Sequence, residues 1–370
     1  MKIAIDARPA EKSGFGIARY TCGLVGALSR LDDENEYILL VNYDKLAPLV
    51  QRKKNLSLYK IGSKWMGLGE QLELPAVLNK LKPDLFHATS FVAPLFYADK
   101  QVITIHDMIH LLFPEHYGIK QRFYYNFVMK KLMHAAAQVI AVSESTRKDI
   151  LSYYKVGPEK VHVIYNGLDD NFKRIDDVDQ ITKFKKSRLL PERFVLYVGN
   201  RKKHKNLNGI FKAFAQFKKE ASNDFHLVIS GNRDDRILSL AAELGISKWL
   251  VFAGQIGDEA MPLLYNSAAL LLCLSFHEGF GYPPLEAMAC GVPVIVSAVS
   301  SLPEVVGSAG ILVDPFDDRE SARMITKVLT DKTLAAELSK EGITRAKEFS
   351  WDKCARETIA VYKKALTKRS

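Results

Sequence analysis

Short apolar segments rich in β-branched residues alternate along the chain with longer amphipathic segments. The short segments have the length of β-strands, and their continuous apolar character is typical of strands covered on both faces. Alternation of such strands with helices predicts parallel sheets. The predicted strands form two series: 3–6, 37–41, 85–87, 102–106, 139–143 and 161–165, followed by 194–198, 227–230, 250–252, 270–274, 292–296 and 310–313.

Two series of strands predict two doubly wound α/β domains, and a length of 370 residues also exceeds the usual size of one domain. A polar, basic stretch at 171–191 separates the series. We therefore expect an N-terminal domain at 1–175 and a C-terminal domain at 176–351, followed by a terminal helix for which Ser350 is the predicted N-cap. Ligands of such domains bind at the carboxyl ends of the strands.

Composition indicates an ordinary globular protein, with 48% hydrophobic and 25% charged residues. No apolar run approaches the ~20 residues that span a bilayer, and residues 1–6 predict a strand rather than a signal peptide. The cysteines are scattered without the spacing of metal ligands or disulfides. We expect buried thiols at Cys273 and Cys290 and a reducing, cytoplasmic location.

Basic residues exceed acidic residues by ten, which favours anionic partners such as phosphates, nucleic acid or an anionic membrane surface. Residues 120–131 interleave basic and aromatic side chains. This pattern is typical either of a half-buried helix with a solvated basic edge or of a helix at a membrane interface. No nucleic-acid-binding motif is found, so we expect no nucleic-acid partner.

The segment 277–296 carries the clearest chemical signal. Glu278 and Glu286 flank a glycine-rich turn, and the two prolines that follow are tolerated in the first turn of a helix. The N–H groups at a helix N-terminus favour anions, phosphates above all. Glu286 is predicted one turn into this helix and Glu278 just before it. The segment therefore predicts a site for a ligand that is part phosphate and part polyhydroxyl, such as a nucleotide sugar.

With these motifs, the chain resembles the retaining glycosyltransferases of the large group called family four, which have the GT-B fold. The resemblance is strong in the C-terminal half and looser between residues 43 and 80. It implies two Rossmann-like domains with doubly wound parallel sheets facing an interdomain cleft, and a C-terminal helix at about 352–370 that packs back on the first domain. The motifs that carry it, in chain order, are 13–20, 103–107, 142–145, 163–167, 197–201 with Lys205 and Asn206, 278–286 and 349–351.

The resemblance also implies roles for individual residues. Arg201 and Lys205 would bind the donor diphosphate, for which a guanidinium fork and a compact ammonium are both suited. Glu278 would contact hydroxyls of the transferred sugar, and His106 would hydrogen-bond one of them. The expected donor-binding residues are Gly14, Gly16, Gly199, Asn200, Gly279, Phe280, Gly281 and Glu286, the last through the ribose. The loop that contains Gly14 and Gly16 departs from the commonest family pattern, because Phe15 lies between the glycines and Ala18 precedes Arg19.

The activity implied is retaining transfer of a hexose to a glycan or lipid-linked glycan acceptor in surface-polysaccharide biosynthesis. Mannose from GDP-mannose is the first expectation, and a UDP-hexose is the alternative. The acidic pairs 169–170, 234–235 and 317–318 are predicted as surface turns, so neither a metal nor another cofactor is expected. Peripheral contact with the anionic inner face of the membrane is a further partner that this activity would accommodate.

Two other classes of protein are remote alternatives. A dinucleotide-dependent enzyme should show Gly-x-Gly-x-x-Gly after the first strand, but the third glycine position is occupied by Arg19. A nucleic-acid-binding protein would explain only the charge. A glycosidase is disfavoured because its two carboxylates flank an open cleft, whereas these are predicted in a loop and in the helix that follows.

Overall fold

The computed structural model describes residues 1–11, 16–51, 53–67, 69–97, 100–114, 123–220 and 224–367. The chain divides into two compact units. Unit 1 consists of Met1–Gly167 and Phe349–Ser370, and unit 2 consists of Leu168–Glu348. These divisions lie slightly before the boundaries at 175 and 351 expected from the sequence. Unit 2 is thus inserted into the chain of unit 1.

Unit 1 contains a seven-stranded sheet in the order β3-β2-β1-β4-β5-β6-β7, with every neighbouring pair parallel. Ile3 in the first strand pairs with both Tyr37 and Leu85, so the chain switches sides of the sheet there. The strands are β1 Lys2–Asp6, β2 Glu36–Val41, β3 Leu56–Lys60, β4 Leu85–Ala88, β5 Gln101–Ile105, β6 Gln138–Ala141 and β7 Val161–Val163.

Helices cover the faces of this sheet, and a core cluster that includes Ala4, Phe86 and Ile103 fills the space between layers. The helices up to residue 167 are α1 Gly16–Leu31, α2 Ala47–Val50, α3 Glu70–Leu81, α4 Ile109–Leu112, α5 Met129–Ala135 and α6 Glu144–Tyr154, with a π-helical segment Tyr124–Val128 before α5 and short 3-10 turns at Arg8–Glu11 and Pro158–Lys160.

Unit 2 contains a six-stranded parallel sheet in the order β10-β9-β8-β11-β12-β13. Its strands are β8 Phe194–Tyr197, β9 His226–Ile229, β10 Leu250–Phe252, β11 Leu270–Cys273, β12 Val294–Ser297 and β13 Ile311–Val313. The chain order reverses between β8 and β11, and ligands of doubly wound sheets bind at the carboxyl ends beside such a switch point.

The helices of unit 2 enclose a separate core that includes Val195, Phe214 and Leu272. They are α7 Val178–Ser187, α8 Leu207–Glu220, α9 Asp235–Glu243, α10 Met261–Asn266, α11 Tyr282–Ala289, α12 Leu302–Val306, α13 Asp318–Thr330 and α14 Lys332–Ala346, with 3-10 turns at Lys203–Lys205, Ser247–Trp249 and Gly307–Ala309. The prediction of two Rossmann-like parallel-sheet domains is confirmed.

The last helix, α15 (Trp351–Leu366), belongs to unit 1 and packs against α1. Ser350 caps it by accepting a hydrogen bond from the backbone N–H of Lys353, as predicted. A Cβ added to Gly23 in α1 would lie only 2.1 Å from the Trp351 ring. Glycine therefore allows the close approach of these two helices.

Two of the acidic pairs predicted as surface turns have a different role. Asp234 and Asp317 are N-caps, whose carboxylates accept hydrogen bonds from the first backbone N–H groups of α9 and α13. Aspartate is among the preferred capping residues because its side chain satisfies donors that have no partner inside the helix. The prediction of plain turns at these positions was wrong.

The basic and aromatic segment forms a half-buried helical region in its described part. Tyr125 and Met129 are buried in unit 1, while Phe123 and Phe127 are each 59% exposed, with ring centroids 4.8 Å apart. Among the described residues, no helix is both long enough and apolar enough to cross a membrane. The thiols of Cys273 and Cys290 are buried, as predicted.

Candidate active site

The turn after β8 brings the first predicted site residues to the carboxyl edge of the unit 2 sheet. The buried Tyr197 hydroxyl donates a hydrogen bond of 2.5 Å to the carbonyl of Asn200. The N–H of Gly199 donates to Ser230 Oγ at 3.4 Å, at the end of the neighbouring strand β9. These bonds fix the path of the backbone immediately before Arg201.

Arg201 is held by groups from the loop after β9. Its Nη1 atom donates to Asp234 Oδ2 at 3.2 Å, and its Nη2 atom donates to the carbonyl of Asn232. The guanidinium also lies 5.7 Å from the centroid of the Phe252 ring. Sequence reasoning did not identify Asp234 as a partner of Arg201, because the two residues meet only through the pairing of β8 with β9.

Lys205 forms an ion pair with Glu278. Its ammonium Nζ lies 2.7 Å from both carboxylate oxygens, although the two residues are 73 positions apart in sequence. Lys205 follows β8 and Glu278 follows β11, and these strands are neighbours in the sheet. The side chains are only 14% and 9% exposed, so the pair is largely withdrawn from water.

Glu278 is ionised within this environment. Burial opposes the charged form, but the ammonium of Lys205 and hydrogen bonds outweigh it, so the pKa of the carboxyl is lowered from its ordinary value. One of those bonds comes from Ser275, whose hydroxyl donates to Oε1 at 2.7 Å. Ser275 was not predicted as a site residue. Its position three residues before Glu278 is the only sequence signal that it carried.

The glycine-rich turn leads directly into α11. Gly281 is the N-cap of this helix and has a φ of 108°, in the left-handed region that favours glycine. Pro283 and Pro284 follow in the first turn. The side chain of Phe280 is buried, with its ring 5.2 Å from that of Tyr282. Only the backbone of Phe280 therefore suits the predicted role in ligand binding.

Glu286 lies in α11 and is 2% exposed. Its Oε2 atom accepts a hydrogen bond of 2.6 Å from the hydroxyl of Tyr265, which is buried in α10. Sequence reasoning missed Tyr265, since nothing local to that residue distinguishes it from a core aromatic.

His106 lies in unit 1, immediately after β5. Its Nε2 atom lies 2.9 Å from the carbonyl of Thr89, and because a carbonyl only accepts, Nε2 carries a proton. Burial lowers the pKa of His106, against the opposing effects of this hydrogen bond and of Asp107. The ring also packs edge-on against Tyr20, with centroids 4.8 Å apart. The imidazole is therefore neutral near pH 7.

The first glycine-rich loop is only partly described. Gly14 lies outside the described residues, whereas Gly16 is the exposed first residue of α1. Just before this loop lies a buried ionic cluster that sequence reasoning missed. Arg8 Nη2 is 2.7 Å from Asp6 Oδ2 and 3.1 Å from Glu70 Oε2. Burial raises the pKa of Glu70 to about 7, although Arg8 acts in the opposite direction.

The predicted residues thus fall into distinct groups. Lys205 and Glu278 are in direct contact, while Arg201 is engaged by Asp234 and Glu286 by Tyr265. The four predicted residues of these groups, Arg201, Lys205, Glu278 and Glu286, lie in unit 2. His106 and Gly16 lie in unit 1. Within the described ranges, no group of three or more His, Cys, Asp or Glu side chains is arranged to hold a metal ion.

Comparison with known proteins identifies the family of both units. Residues 16–172 match the family Glycosyltransferase Family 4, and residues 179–345 match the family Glycosyl transferases group 1. The chain is 29% identical to O-antigen chain mannosyltransferase B of Escherichia coli over 98% of this chain and 100% of the relative. It is 31% identical to the serotype-specific mannosyltransferase WbdA of Escherichia coli over 72% of this chain, but spans only 34% of WbdA.

Among solved structures, the fold is similar to that of HepE from Anabaena in complex with UDP and glucose. The TM-score is 0.76 at 21% identity, covering 98% of this chain and 99% of HepE. The similarity extends across both parallel sheets. Together, the two family matches and the full-length relative show that this chain belongs to the GT-B glycosyltransferases, with a Glycosyltransferase Family 4 domain followed by a group 1 domain.

Proposed function

We propose that this glycosyltransferase moves mannose from GDP-mannose to a glycan or lipid-linked glycan in surface-polysaccharide biosynthesis. The observation that carries the choice of sugar is the full-length similarity to O-antigen chain mannosyltransferase B. WbdA, named as a mannosyltransferase, supports the same choice over most of this chain.

The proposed donor site is the carboxyl edge of the unit 2 sheet, at the switch between β8 and β11. There Arg201 and Lys205 would bind the diphosphate, with the backbone of Gly199 and Asn200 beside them. Glu286 would accept hydrogen bonds from the ribose, and Glu278 from the transferred sugar. Gly279, Phe280 and Gly281 would offer backbone N–H groups. This arrangement supplies cations and oriented donors where charge develops on a leaving nucleotide.

The proposed reaction proceeds with retention of configuration. The acceptor hydroxyl oxygen bonds to the anomeric carbon on the face that the diphosphate leaves, and the bond from that carbon to the phosphate oxygen breaks. The hydroxyl proton passes to the leaving phosphate. The neutral imidazole of His106 would hydrogen-bond a hydroxyl of the transferred sugar. The anomeric carbon–hydrogen coupling of the product, measured by NMR, tests retention.

We propose further that transfer requires neither a metal nor another cofactor. Arg201 and Lys205 would supply the positive charge that a divalent ion supplies elsewhere. Their own partners, Asp234 and Glu278, keep them in place at the strand ends.

Binding calorimetry in the presence of EDTA tests the donor. GDP, UDP, GDP-mannose and UDP-glucose are titrated separately into the full chain. Selective binding of GDP and GDP-mannose is expected. The metal-free site would be contradicted if none of the four ligands bound in the presence of EDTA and one of them bound after Mg²⁺ was added.

A UDP-hexose is the second candidate donor, and the similarity to HepE in complex with UDP and glucose favours it. Selective binding of UDP and UDP-glucose in the same titrations would replace GDP-mannose as donor and leave the proposed site unchanged.

The proposed location is the cytoplasmic side of the membrane, with peripheral contact to anionic lipid through unit 1. Exposed Phe123 and Phe127 lie next to exposed Lys130 and Lys131, a combination suited to an anionic interface. Co-sedimentation with phosphatidylglycerol vesicles should fall in Phe127→Ser and be weak with phosphatidylcholine. Leu189→Ser, at an exposed position in unit 2, is the control.

A further inference from the structure

Two consecutive serines hold the turn that carries Glu278. Ser300 and Ser301 lie between β12 and α12, more than twenty residues beyond that turn. The Oγ atom of Ser300 donates to the carbonyl of Glu278 at 2.6 Å and accepts from the backbone N–H of Glu278 at 3.1 Å. The same Oγ lies 3.2 Å from Nδ1 of His277. A single hydroxyl therefore engages both backbone groups of Glu278.

Ser301 contacts the next part of the turn. It is fully buried, and its Oγ lies 2.9 Å from the carbonyl oxygen of Glu278 and 2.8 Å from that of Phe280. Because a hydroxyl has one proton, these two carbonyls share it. The two serines together thus hold alternate carbonyls of the segment 278–280.

Holding these carbonyls also fixes the amide groups that follow them. A trans peptide is planar, and its C=O and N–H point in opposite directions. When the carbonyls of Glu278 and Phe280 point toward the serines, the N–H groups of Gly279 and Gly281 point to the opposite face. The turn therefore presents two N–H groups, two residues apart, on the face away from the serines.

Ser300 itself adopts an unfavourable backbone conformation. Its φ of 59° lies in the left-handed region, where the Cβ of an L-residue meets steric opposition. Strained residues of this kind persist only where the surroundings hold them, and they are concentrated at functional sites. The hydrogen bonds of the Ser300 hydroxyl supply that constraint. A glycine would adopt the same backbone without strain, but it lacks the hydroxyl.

We propose that Ser300 and Ser301 are positioning residues for transfer, which orient the Gly279 and Gly281 amides toward the leaving diphosphate. This inference rests on the donor site proposed above. As the anomeric carbon–oxygen bond breaks, negative charge grows on the departing phosphate, and N–H groups held in place beforehand stabilise it without reorganisation. Loss of the serines should therefore lower kcat more than it raises KM for the donor.

The first test measures the turn directly and needs no substrate. Hydrogen exchange of the segment 278–282 is followed by mass spectrometry in Ser300→Gly, Ser301→Ala and the wild type. Exchange in both variants should be about fivefold faster or more. Ser321→Ala is the matched control, because Ser321 is buried in α13 and its hydroxyl has no hydrogen-bond partner within the described residues. Wild-type exchange of the segment in both serine variants would overturn the inference.

The second test separates positioning from a structural role. Turnover of GDP-mannose, with UDP-glucose in parallel, should show a loss of about tenfold in kcat for Ser300→Gly, with KM changed less than about threefold. Thermal stability of Ser300→Gly should stay equal to wild type or rise, because glycine relieves the strained φ. Unchanged kcat, or a loss of activity that follows only a loss of stability, would contradict the inference.

Failure of this inference is distinguishable from failure of the donor site itself. Lys205→Met and Glu286→Ala are assayed beside the serine variants. Near-wild-type turnover in both would reject the proposed donor site. Low turnover in both, together with wild-type kcat in Ser300→Gly and Ser301→Ala, would reject only the role of the serines.

Discussion

The ammonium of Lys205 lies 2.7 Å from each carboxylate oxygen of Glu278, so the cation proposed for the diphosphate is already neutralised by a carboxylate proposed for the sugar. Because both side chains are largely buried, neither charge is well compensated by water when the other is absent. A bound diphosphate would have to share Lys205 with Glu278. In the proposed site, the pair would therefore couple phosphate binding to the position of the carboxylate proposed for the sugar.

Replacement of Lys205 by methionine should damage both activity and stability. If Lys205 binds the leaving diphosphate as proposed, Lys205→Met should lower transfer by about a hundredfold or more, because a preorganised cation is lost there. The free energy of unfolding should fall by about 3 kcal/mol, since Glu278 stays buried without its partner. Transfer assays and urea unfolding measure the two effects. Lys203→Met, at an exposed position in the same turn, should leave both near wild type.

The same pair predicts a dependence of stability on pH. The pKa of Glu278 is lower in the folded state than its ordinary value. Its contribution to the free energy of unfolding is therefore fully present at a pH above that ordinary value, and it is lost as the pH falls through the lowered pKa. In Lys205→Met the pKa of Glu278 should rise toward or above its ordinary value, so the free energy of unfolding should fall less on acidification than it does in the wild type. Urea unfolding of both proteins between pH 3 and pH 6 measures the difference; parallel curves would contradict it.

Tyr265 is expected to support the second glutamate. Tyr265→Phe removes the 2.6 Å hydrogen bond to the buried Glu286 and should lower the free energy of unfolding by about 2 kcal/mol. We also expect KM for the nucleotide sugar to rise about tenfold, because the carboxyl group of Glu286 loses the hydrogen bond that holds it in place. Steady-state kinetics and urea unfolding are the measurements. Tyr43→Phe, where the side chain is 69% exposed, is the matched control.

Glu70 should make unit 1 less stable as pH rises toward neutrality. Its pKa is about 7 in the folded state and near 4.5 when unperturbed, so between these values the folded state binds more protons. Stability then falls with rising pH, by an amount on the order of 3 kcal/mol over the whole interval. Urea unfolding measures the free energy of unfolding at pH 5 and at pH 8. The difference between the two values should be smaller in Glu70→Gln than in Glu36→Gln, the control at an exposed position. An equal difference in both variants would show that Glu70 titrates normally.

The terminal helix is expected to depend on one buried hydrogen bond. The hydroxyl of Tyr362 lies 2.6 Å from Nδ1 of His87, whose Nε2 lies 2.9 Å from Oγ1 of Thr104. Tyr362→Phe should lower the free energy of unfolding by about 1 kcal/mol and increase hydrogen exchange in α15. Tyr153→Phe, at an exposed position in α6, serves as the comparison. Unchanged exchange in α15 would contradict the dependence.

Most strands were predictable because a strand covered on both faces must be continuously apolar. The run 250–252 is a strand with the predicted limits, and the other predicted runs differ from the observed strands by one or two residues at one or both ends. The segment 139–143 is one example: β6 ends at Ala141, and Ser143 instead caps α6. The strand Leu56–Lys60 was missed. It lies at the edge of its sheet and has only one buried residue, Leu56, so its sequence lacks the apolar run.

For the candidate site, the sequence predicted the main residues but not the contacts between them. Glu278 was identified from the glycine-rich segment and Lys205 through the family resemblance, but their contact depends on β8 and β11 being neighbours, which no local pattern encodes. The same holds for Tyr265 and Asp234, whose partners lie on other elements. Ser300 carried no signal, because serine is common in loops and its positive φ is imposed by tertiary contacts.

The insertion of unit 2 between residues 167 and 349 has a consequence for synthesis on the ribosome. Unit 2 is contiguous and has its own core, so it can fold as soon as its residues have emerged. Unit 1 begins first but must wait, because α1 faces Trp351 and the buried His87 requires Tyr362. During that interval the nascent N-terminal sheet lacks α15, which contacts β4, β5 and β6 in the folded chain, and the apolar surface left exposed there favours aggregation.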